Sequence, residues 1–436
     1  MRAPPDPLGM TGTELPFGVV TEAAGRGAVY EGHGPQAQYD ADANTTFVTY
    51  RGPDADPHAT AFDHDSRTFA EPTRIGTNPL RPEDNHGPPA ICIDDDGYVY
   101  AFYGSNGSHH LLARTRDPHD VSSWVDLGAL EGIPPGSYPS PRVADDGSIY
   151  LFYRGWPPSP DGVYPTGQYG TVARSTDGES FEHLGPIVDT SGHPDEMSST
   201  YVKDATIRDG RLHLTWFICR DHATSTTAAS QHRYGVFHVT YDPRSDALID
   251  LAGNRYEPPL TWPEMDGTPV EAVGWLDVNH PKHVLTGDGP AILYTHYDPA
   301  SPNFEDGTSR IEWLVTSWRG ERWRTERLPD AFATHLFDGG YPRINEAGQL
   351  EAHVVTGGSN PELVDGKRGG NFAVFTRTDS GWEQTGGVTA ADAGKPLSRV
   401  STVANGRDEF ASLVVPASED ATEFDLPLFA YGSAWV

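Results

Sequence analysis

The chain has 436 residues, a formal charge of −31, 36% apolar residues and 11% aromatics. No run of about 18 apolar residues occurs, which excludes a membrane-spanning helix, and no basic stripe exists to displace counterions, which excludes nucleic acid as a partner. Two cysteines, Cys92 and Cys219, exclude a disulfide framework and read as small buried side chains.

The N-terminus, MRAPPDPLGMTGTELPF, has neither a basic start followed by an apolar core nor a twin-arginine signal. It reads as cytoplasmic, or as secreted with an export signal removed. After the short β-like GAVYEG, an apolar strand recurs seven times: FVTY (47–50), YVYAFY (98–103), SIYLFY (148–153), RLHLTWF (211–217), AILYTHY (291–297), QLEAHVV (349–355) and EFASLVV (409–415). The copies stand roughly 50 to 80 residues apart, and most follow an Asp/Asn/Gly turn, the mark of four-stranded blades repeated around an axis. Partner strands such as LLARTRDPHDVSSW and FAVFTRTDSGW follow. One of them, VARSTDGESF (172–181), resembles a shortened Asp-box, a turn whose Asp bonds local backbone.

These elements predict an all-β protein, a seven-bladed β-propeller of four-stranded antiparallel blades, as one domain over 1–436. The N-terminal segment is expected to complete the last blade, so that the ring has no free edge. The stretch 242–276, with YEPPLTWPEMDG, exceeds a simple blade connection and is expected to be a loop over one face. A monomer is the expected state.

In such a blade, the loop leading into the innermost strand and the loop trailing the second strand share one face. Taking the apolar run as the second strand gathers two sets of motifs. The leading set is EDNHGPPAI (His86), SYPSPRV (Tyr138, Arg142), STYVKDATI (Tyr201, Lys203), DVNHPKHVL (His280, His283) and DGGYPRI (Tyr341, Arg343). The trailing set is YGSNGSHH (Asn106, His109, His110), YRGW (Arg154), CRDH (Arg220, Asp221, His222) and THYD (His296). One rim of an acidic protein is thus rich in His, Tyr and Arg. That suits an anionic sugar: Arg for a carboxylate, aromatic rings for pyranose faces, His and Tyr for proton transfer. Each residue also has a structural reading: His86 as a backbone cap, Tyr138 as a ring stacked over the channel, Arg154 as half of an inter-blade salt bridge.

The runs DNHGPPAICIDDDGYVYAFYGSNGSHH, SYPSPRVADDGSIYLFYRGW and TYVKDATIRDGRLHLTWFICR resemble the BNR-repeat propellers that include the ulvan lyases. The likeness covers residues 80–240, and the remainder through blade rhythm. It implies a seven-bladed propeller that cleaves a sulfated rhamnose–uronate polymer by β-elimination, with His86, Tyr138 and Arg154 as the catalytic group. The family often carries a second His where Asn106 stands here, which makes Asn106 the fourth candidate; His109 and His110 follow it closely. The expected partner is an anionic polysaccharide or oligosaccharide, contacted also by His109, His110, Arg142, Tyr201, Lys203, Arg220 and His280.

The chemistry requires a cation at the uronate carboxylate, a base for H5 and an acid for the leaving O4. Neutralising the carboxylate stabilises the enolate-like intermediate, and the guanidinium fork holds both oxygens. Tyr, near pKa ~10, is a poor base in water, and an adjacent guanidinium favours its phenolate; His, near ~6.5, is a second proton carrier. No cofactor is required. Cys219, His222 and His232 are spaced as candidate ligands of a structural metal ion, without an evident fourth. Two rival functions remain. A glycoside hydrolase would need two carboxylates across the mouth, drawn from Asp84, Asp204, Asp221, Asp277 and Asp338. A sugar-binding propeller would repeat one site in every blade, whereas these motifs differ from blade to blade.

Only four of the 31 basic residues are lysines: Lys203, Lys282, Lys367 and Lys395. Many carboxylates with little Lys is the surface bias of proteins that live in high salt, where screening removes self-repulsion. The melting temperature is therefore expected to be higher in molar salt than in dilute buffer when unfolding is followed by circular dichroism. Equal values in the two would refute the adaptation.

Overall fold

The computed structural model describes residues 17–435 except 26, 31, 85, 158–166, 194–198, 220–232, 266–269, 271–277, 298–310, 334–338, 358–368 and 419–422. The described residues form seven sheets of four or five strands, arranged as a seven-bladed propeller. The innermost strands of blades 1 to 7 are Ala37–Asp40, Ala90–Ile93, Gly136–Val143, Ser199–Arg208, Val278–Leu285, Gly340–Ile344 and Leu397–Thr402. Each pairs antiparallel with a second strand that carries one of the repeated apolar runs. No helix among the described residues is long and apolar enough to cross a membrane.

The second strands are apolar on both faces because each blade is sandwiched between two others. Val99–Tyr103 and Ile149–Gly155 are buried at every position. The rings and aliphatic chains of one blade therefore pack on the next; Phe102, Leu151, Tyr153 and Phe181 share one inter-blade cluster. Turns between inner strands follow the sequence signal: Asp94 Oδ1 accepts from the backbone of Asp96 and Tyr98, and Gly97 takes φ 88°. In the Asp-box-like turn, Asp177 Oδ1 accepts from the backbone N–H of Glu179 and Ser180. That turn sits between the third and fourth strands of blade 3, away from the axis.

The last blade is built from both ends of the chain. Phe17–Ala24 pairs antiparallel with Leu426–Tyr431 as its outermost strand, and Phe17 stacks on Phe429 at 5.0 Å. The stretch 242–276, expected as a loop, is more regular over 247–261. Ala247–Ile249 and Arg255–Tyr256 are the outer strands of blade 4. Leu260–Thr261 pairs in parallel with the outer strand of blade 3. These segments are two or three residues long, too short to leave a period-2 pattern in the sequence.

Innermost strands turn one edge to the central channel, so they tolerate proline, which cannot donate to a ladder. Pro139, Pro281 and Pro342 occupy such positions, each directly after Tyr138, His280 or Tyr341. Pairing slips at Tyr138, between Ser137 and Ser140, and at His280, between Asn279 and Lys282. At both bulges the residue is left-handed, with φ 61° at Tyr138 and 50° at His280. Bulges of this kind re-aim side chains, here at the end of the strand where the leading and trailing loops meet. The other end of the channel opens into a cavity of about 720 Å³, lined by Arg142, Asp204, His283 and Arg343 among others.

Removing Phe17–Ala24 would leave Leu426–Tyr431 as a bare, apolar edge strand. A chain that starts at Gly25 is expected to melt about 10 °C or more lower and to aggregate, as read by calorimetry and light scattering. A truncated chain that melts with the full one would contradict this.

Candidate active site

Four segments bring the central group together. Asp84 and His86 come from the loop leading into blade 2, Asn106 from the loop trailing its second strand, Tyr138 from the bulge of blade 3, and Arg154 from the end of that blade's second strand. The two trailing and leading loops are tied by backbone bonds, Gly107 N–H to Gly136 O and Gly136 N–H to Ser108 O, both 2.9 Å. Gly34 N–H to Pro139 O, 3.2 Å, adds the segment before blade 1. Gly32 passes so close to the Tyr138 ring that an added Cβ would overlap it.

The Tyr138 hydroxyl lies 3.0 Å from His86 Nε2. His86 Nδ1 lies 2.5 Å from Asp84 Oδ1, and Asn106 Nδ2 donates to Asp84 Oδ2 at 2.9 Å. The Arg154 guanidinium is 4.4 Å from the ring centres of both Tyr138 and Tyr201. Its Nε donates to Ser137 Oγ at 2.9 Å, while Nη1 is buried with no partner. Lys203 Nζ sits 4.7 Å from the Tyr138 ring centre. Two cations therefore flank one phenol inside an acidic protein. Arg154 and Tyr138 are 2% and 3% exposed, whereas the His86 and Asp84 side chains keep 23% and 26%. The group thus meets solvent on the His–Asp side.

Burial pushes the Asp84 carboxyl up, and bonds from His86 and Asn106 outweigh it, so the carboxyl is held well below the usual range. Burial lowers His86, partly offset by Asp84 and reinforced by Arg154 and Lys203. Burial would lower Arg154 too, and Tyr138, Tyr201 and Tyr30 more than compensate, so the guanidinium stays charged.

The other sequence candidates divide. Tyr201 walls the group, stacked on Phe217 at 5.1 Å and 5.7 Å from Tyr138. His280 lies buried nearby, its imidazole held neutral by burial and by Lys203, Arg233, Arg399 and Lys282. Arg142 does not reach the group: it sits at the far end of its strand, bonded to Gly34 O, Pro141 O and Asp204. Nor do His109 and His110 take the place of a second imidazole. His109 Nδ1 is held by Leu130 O at 3.1 Å, and His110 is fully buried against Ser105 and the Tyr153 ring, its pKa lowered to about 3 by burial. Both are fixed inside blade 2 because the tight YGSNGSHH turn folds them back. Asn106, the fourth catalytic candidate, bonds Asp84. Arg220, His222 and His232 lie outside the described residues. Cys219 is buried and not in a disulfide, and no group of three or more His, Cys, Asp or Glu among the described residues has the geometry of a metal site.

Tyr30 and His33 were missed. Tyr30 stacks parallel to Tyr138 at 6.1 Å, beneath the Arg399 guanidinium at 4.9 Å, and His33 meets the Tyr138 ring edge-on. A signal existed. Every blade needs a leading loop, and the one before FVTY must contain Tyr30 to Gln36. Lys282 and Arg399 precede their apolar runs in the same way.

A propeller with differing leading loops and one composite, cationic mouth defines a class of single-site β-propellers. Residues 36–331 match the family described as BNR repeat-containing, and the chain belongs to that family. Among curated relatives, an ulvan lyase of Nonlabens ulvanivorans is 27% identical over 321 residues, 65% of either chain, so the match spans less than two thirds of that protein. An ulvan lyase of Alteromonas sp. (strain LOR) is 34% identical over 140 residues, 27% of this chain and 28% of its own. The structure of a PL25 ulvan lyase bound to -[GlcA(1-4)Rha3S]- covers 94% of each chain with a TM-score of 0.73 at 18% identity. Polysaccharide lyase Uly1 gives a TM-score of 0.61 at 10% identity, over 92% of this chain and 90% of its own. These two structural likenesses concern the fold.

His33, His110 and His280 are kept neutral by burial, with pKa values below the unfolded ~6.5. The unfolded chain therefore binds protons first as pH falls, and stability drops with it. The urea midpoint is expected to fall between pH 7 and pH 5, with a slope that steepens as the pH drops below ~6.5. A flat profile over that range would contradict the buried, neutral imidazoles.

Proposed function

We propose that the protein is a polysaccharide lyase that cleaves an anionic, uronate-containing glycan of the rhamnose–uronate type by β-elimination. The observation that carries this reading is the Arg154 guanidinium, buried against the Tyr138 ring with Nη1 unpaired, beside a phenol bonded to an imidazole. A uronate carboxylate at Arg154 would supply the missing acceptor. Neutralising it lowers the cost of charge at C5 when H5 leaves. Tyr138 and His86 are the groups in reach for the two proton transfers: one takes H5, and C4–O4 cleavage then releases an alkoxide that receives a proton. The elimination leaves a C4–C5 double bond and needs no water. Tyr201, Lys203 and His280 line the same mouth and suit further contacts with an anionic chain.

The kinship with named ulvan lyases supports the reaction class. A hydrolase fits less well. Among the described residues, Asp84 is spent on His86 and Asn106, and Asp204 is bonded to Arg142 and the backbone of His283 on the cavity side. Neither is paired with a second carboxylate among the described residues, outside which Asp221, Asp277 and Asp338 lie.

The test is the ultraviolet absorbance of an unsaturated uronate product, which hydrolysis does not make. Tyr138→Phe keeps the stacked ring and removes the hydroxyl, so kcat is expected to fall by ~10² to 10⁴ with KM little changed. Arg154→Ala is expected to impair both, because it strips charge from the bound substrate and from the intermediate. Retention of near wild-type rates by the His86→Ala and Tyr138→Phe variants would overturn the assignment.

A further inference from the structure

The bonds around His86 extend past the two proton carriers. Asp84 Oδ1 takes both the Nδ1 of His86, at 2.5 Å, and the backbone N–H of the same residue, at 2.9 Å. Its Oδ2 takes Asn106 Nδ2 at 2.9 Å. A carboxylate only accepts, so the amide must turn its NH₂ to Asp84. That fixes the amide even though it leaves Asn106 Oδ1 buried without a partner. With three donors on one carboxylate, Asp84 is ionised and the shared proton belongs to His86 Nδ1. In the neutral ring, Nε2 is then bare and aimed at the Tyr138 hydroxyl.

We propose that Asp84 is a positioning residue for the reaction, clamping His86 in the Nδ1–H tautomer so that Nε2 can receive the Tyr138 proton, and that Asn106 acts through Asp84 alone. The proposal rests on the lyase reading. When the Tyr138 O–H breaks, its proton goes to Nε2 and leaves a phenolate. The imidazolium so formed directs Nδ1–H at a full negative charge. Nothing is oxidised or reduced, and the proton is the only group that moves. Without the carboxylate, the ring is free to take the opposite tautomer, with Nε2–H facing the phenol oxygen, and the proton then has no acceptor. The same logic makes the carboxylate of a Ser–His–Asp triad worth about 10⁴ in kcat. Here Asn106 stands where the resembling family often has a second imidazole. It contributes no proton of its own and serves as the outer arm of the clamp.

The charged and titratable groups facing His86 are Asp84 from its own loop, Tyr138 from the blade 3 bulge, Tyr30 and His33 from the segment before blade 1, Arg154 and Lys203. Asp84 is the carboxylate among them that raises its titration; burial, Arg154 and Lys203 lower it. A base must be unprotonated, so the rate falls as pH drops through the titration of His86. Deleting the Asp84 charge lowers that titration further, and the acidic limb moves to lower pH.

The experiment follows kcat and KM against pH for wild type, Asp84→Asn and Asn106→Leu on a sulfated rhamnose–glucuronate polysaccharide. Alongside it, the ring nitrogens of His86 are read by nitrogen-15 NMR in the free proteins, assigned with His86→Gln. Asp84→Asn is expected to lose ~10²-fold or more in kcat, keep KM within ~3-fold, shift its acidic limb downward and lose the Nδ1–H signal. Asn106→Leu is expected to lose ~3- to 10-fold in kcat alone. A folded Asp84→Asn with the wild-type limb, or with Nδ1–H retained, overturns the proposal. Should that variant not fold, an unchanged kcat in Asn106→Leu overturns it instead. If wild type yields no unsaturated product, the lyase reading fails separately. The tautomer then decides the clamp alone, by its loss or retention in Asp84→Asn.

Discussion

The second strand of each blade is buried on both faces, and the remaining architecture follows from that constraint. A strand apolar on both sides has no solvent face, so each blade must find two neighbours. A row of such blades leaves two apolar ends unless it curls into a ring. The ring closes through Phe17–Ala24 on Leu426–Tyr431, which joins chain ends more than 400 residues apart in one sheet. Closure also fixes which loops meet. The leading loop of one blade lies beside the trailing loop of the blade before it, as Gly136 lies beside Ser108. Polar residues 52 positions apart, with a whole blade between them, thereby become hydrogen-bond partners, as His86 and Tyr138 do.

The ring also solves an electrostatic problem. A chain with a formal charge of −31 repels anions at a distance, yet its mouth gathers Arg154 and Lys203 around Tyr138, with Arg399 over Tyr30. At high ionic strength the repulsion is largely screened beyond about 10 Å or less from the surface. Buried contacts at the mouth are screened far less. High salt would therefore remove the penalty on approach while sparing the attraction on contact.

The fold was legible because its signal repeats. Seven apolar runs, each after a turn, fixed the blade count and identified the second strand, and that in turn sorted loops by rim. His86, Tyr138 and Arg154 could be placed together on that basis. Conformation within a loop was not legible. Arg142 shares a motif with Tyr138, but the bulge and the run of the strand carry it down the channel to Asp204. His109 and His110 share a motif with Asn106, but the turn folds them inward. Tyr30 and His33 were overlooked because GAVYEG, which contains Tyr30 and directly precedes His33, reads as a short β segment, whereas residues 27–30 are a turn in the loop leading into blade 1.

Asp84 shows why a carboxylate near a mouth is not by itself a sign of hydrolysis. From the sequence it was one of five acids that a hydrolase could have used. In the structure its lone pairs are committed to Nδ1 and the backbone of His86 and to the amide of Asn106. A carboxylate with those donors is a weak base and a poor nucleophile, because protonating it or moving it would break three bonds at once. Its charge is instead expressed through the imidazole, one bond further on. A general acid in a hydrolase needs the reverse, a carboxyl raised by burial without donors. The direction in which Asp84 is displaced, downward, therefore argues for a site in which protons travel on His86 and Tyr138 and the carboxylate stays charged throughout.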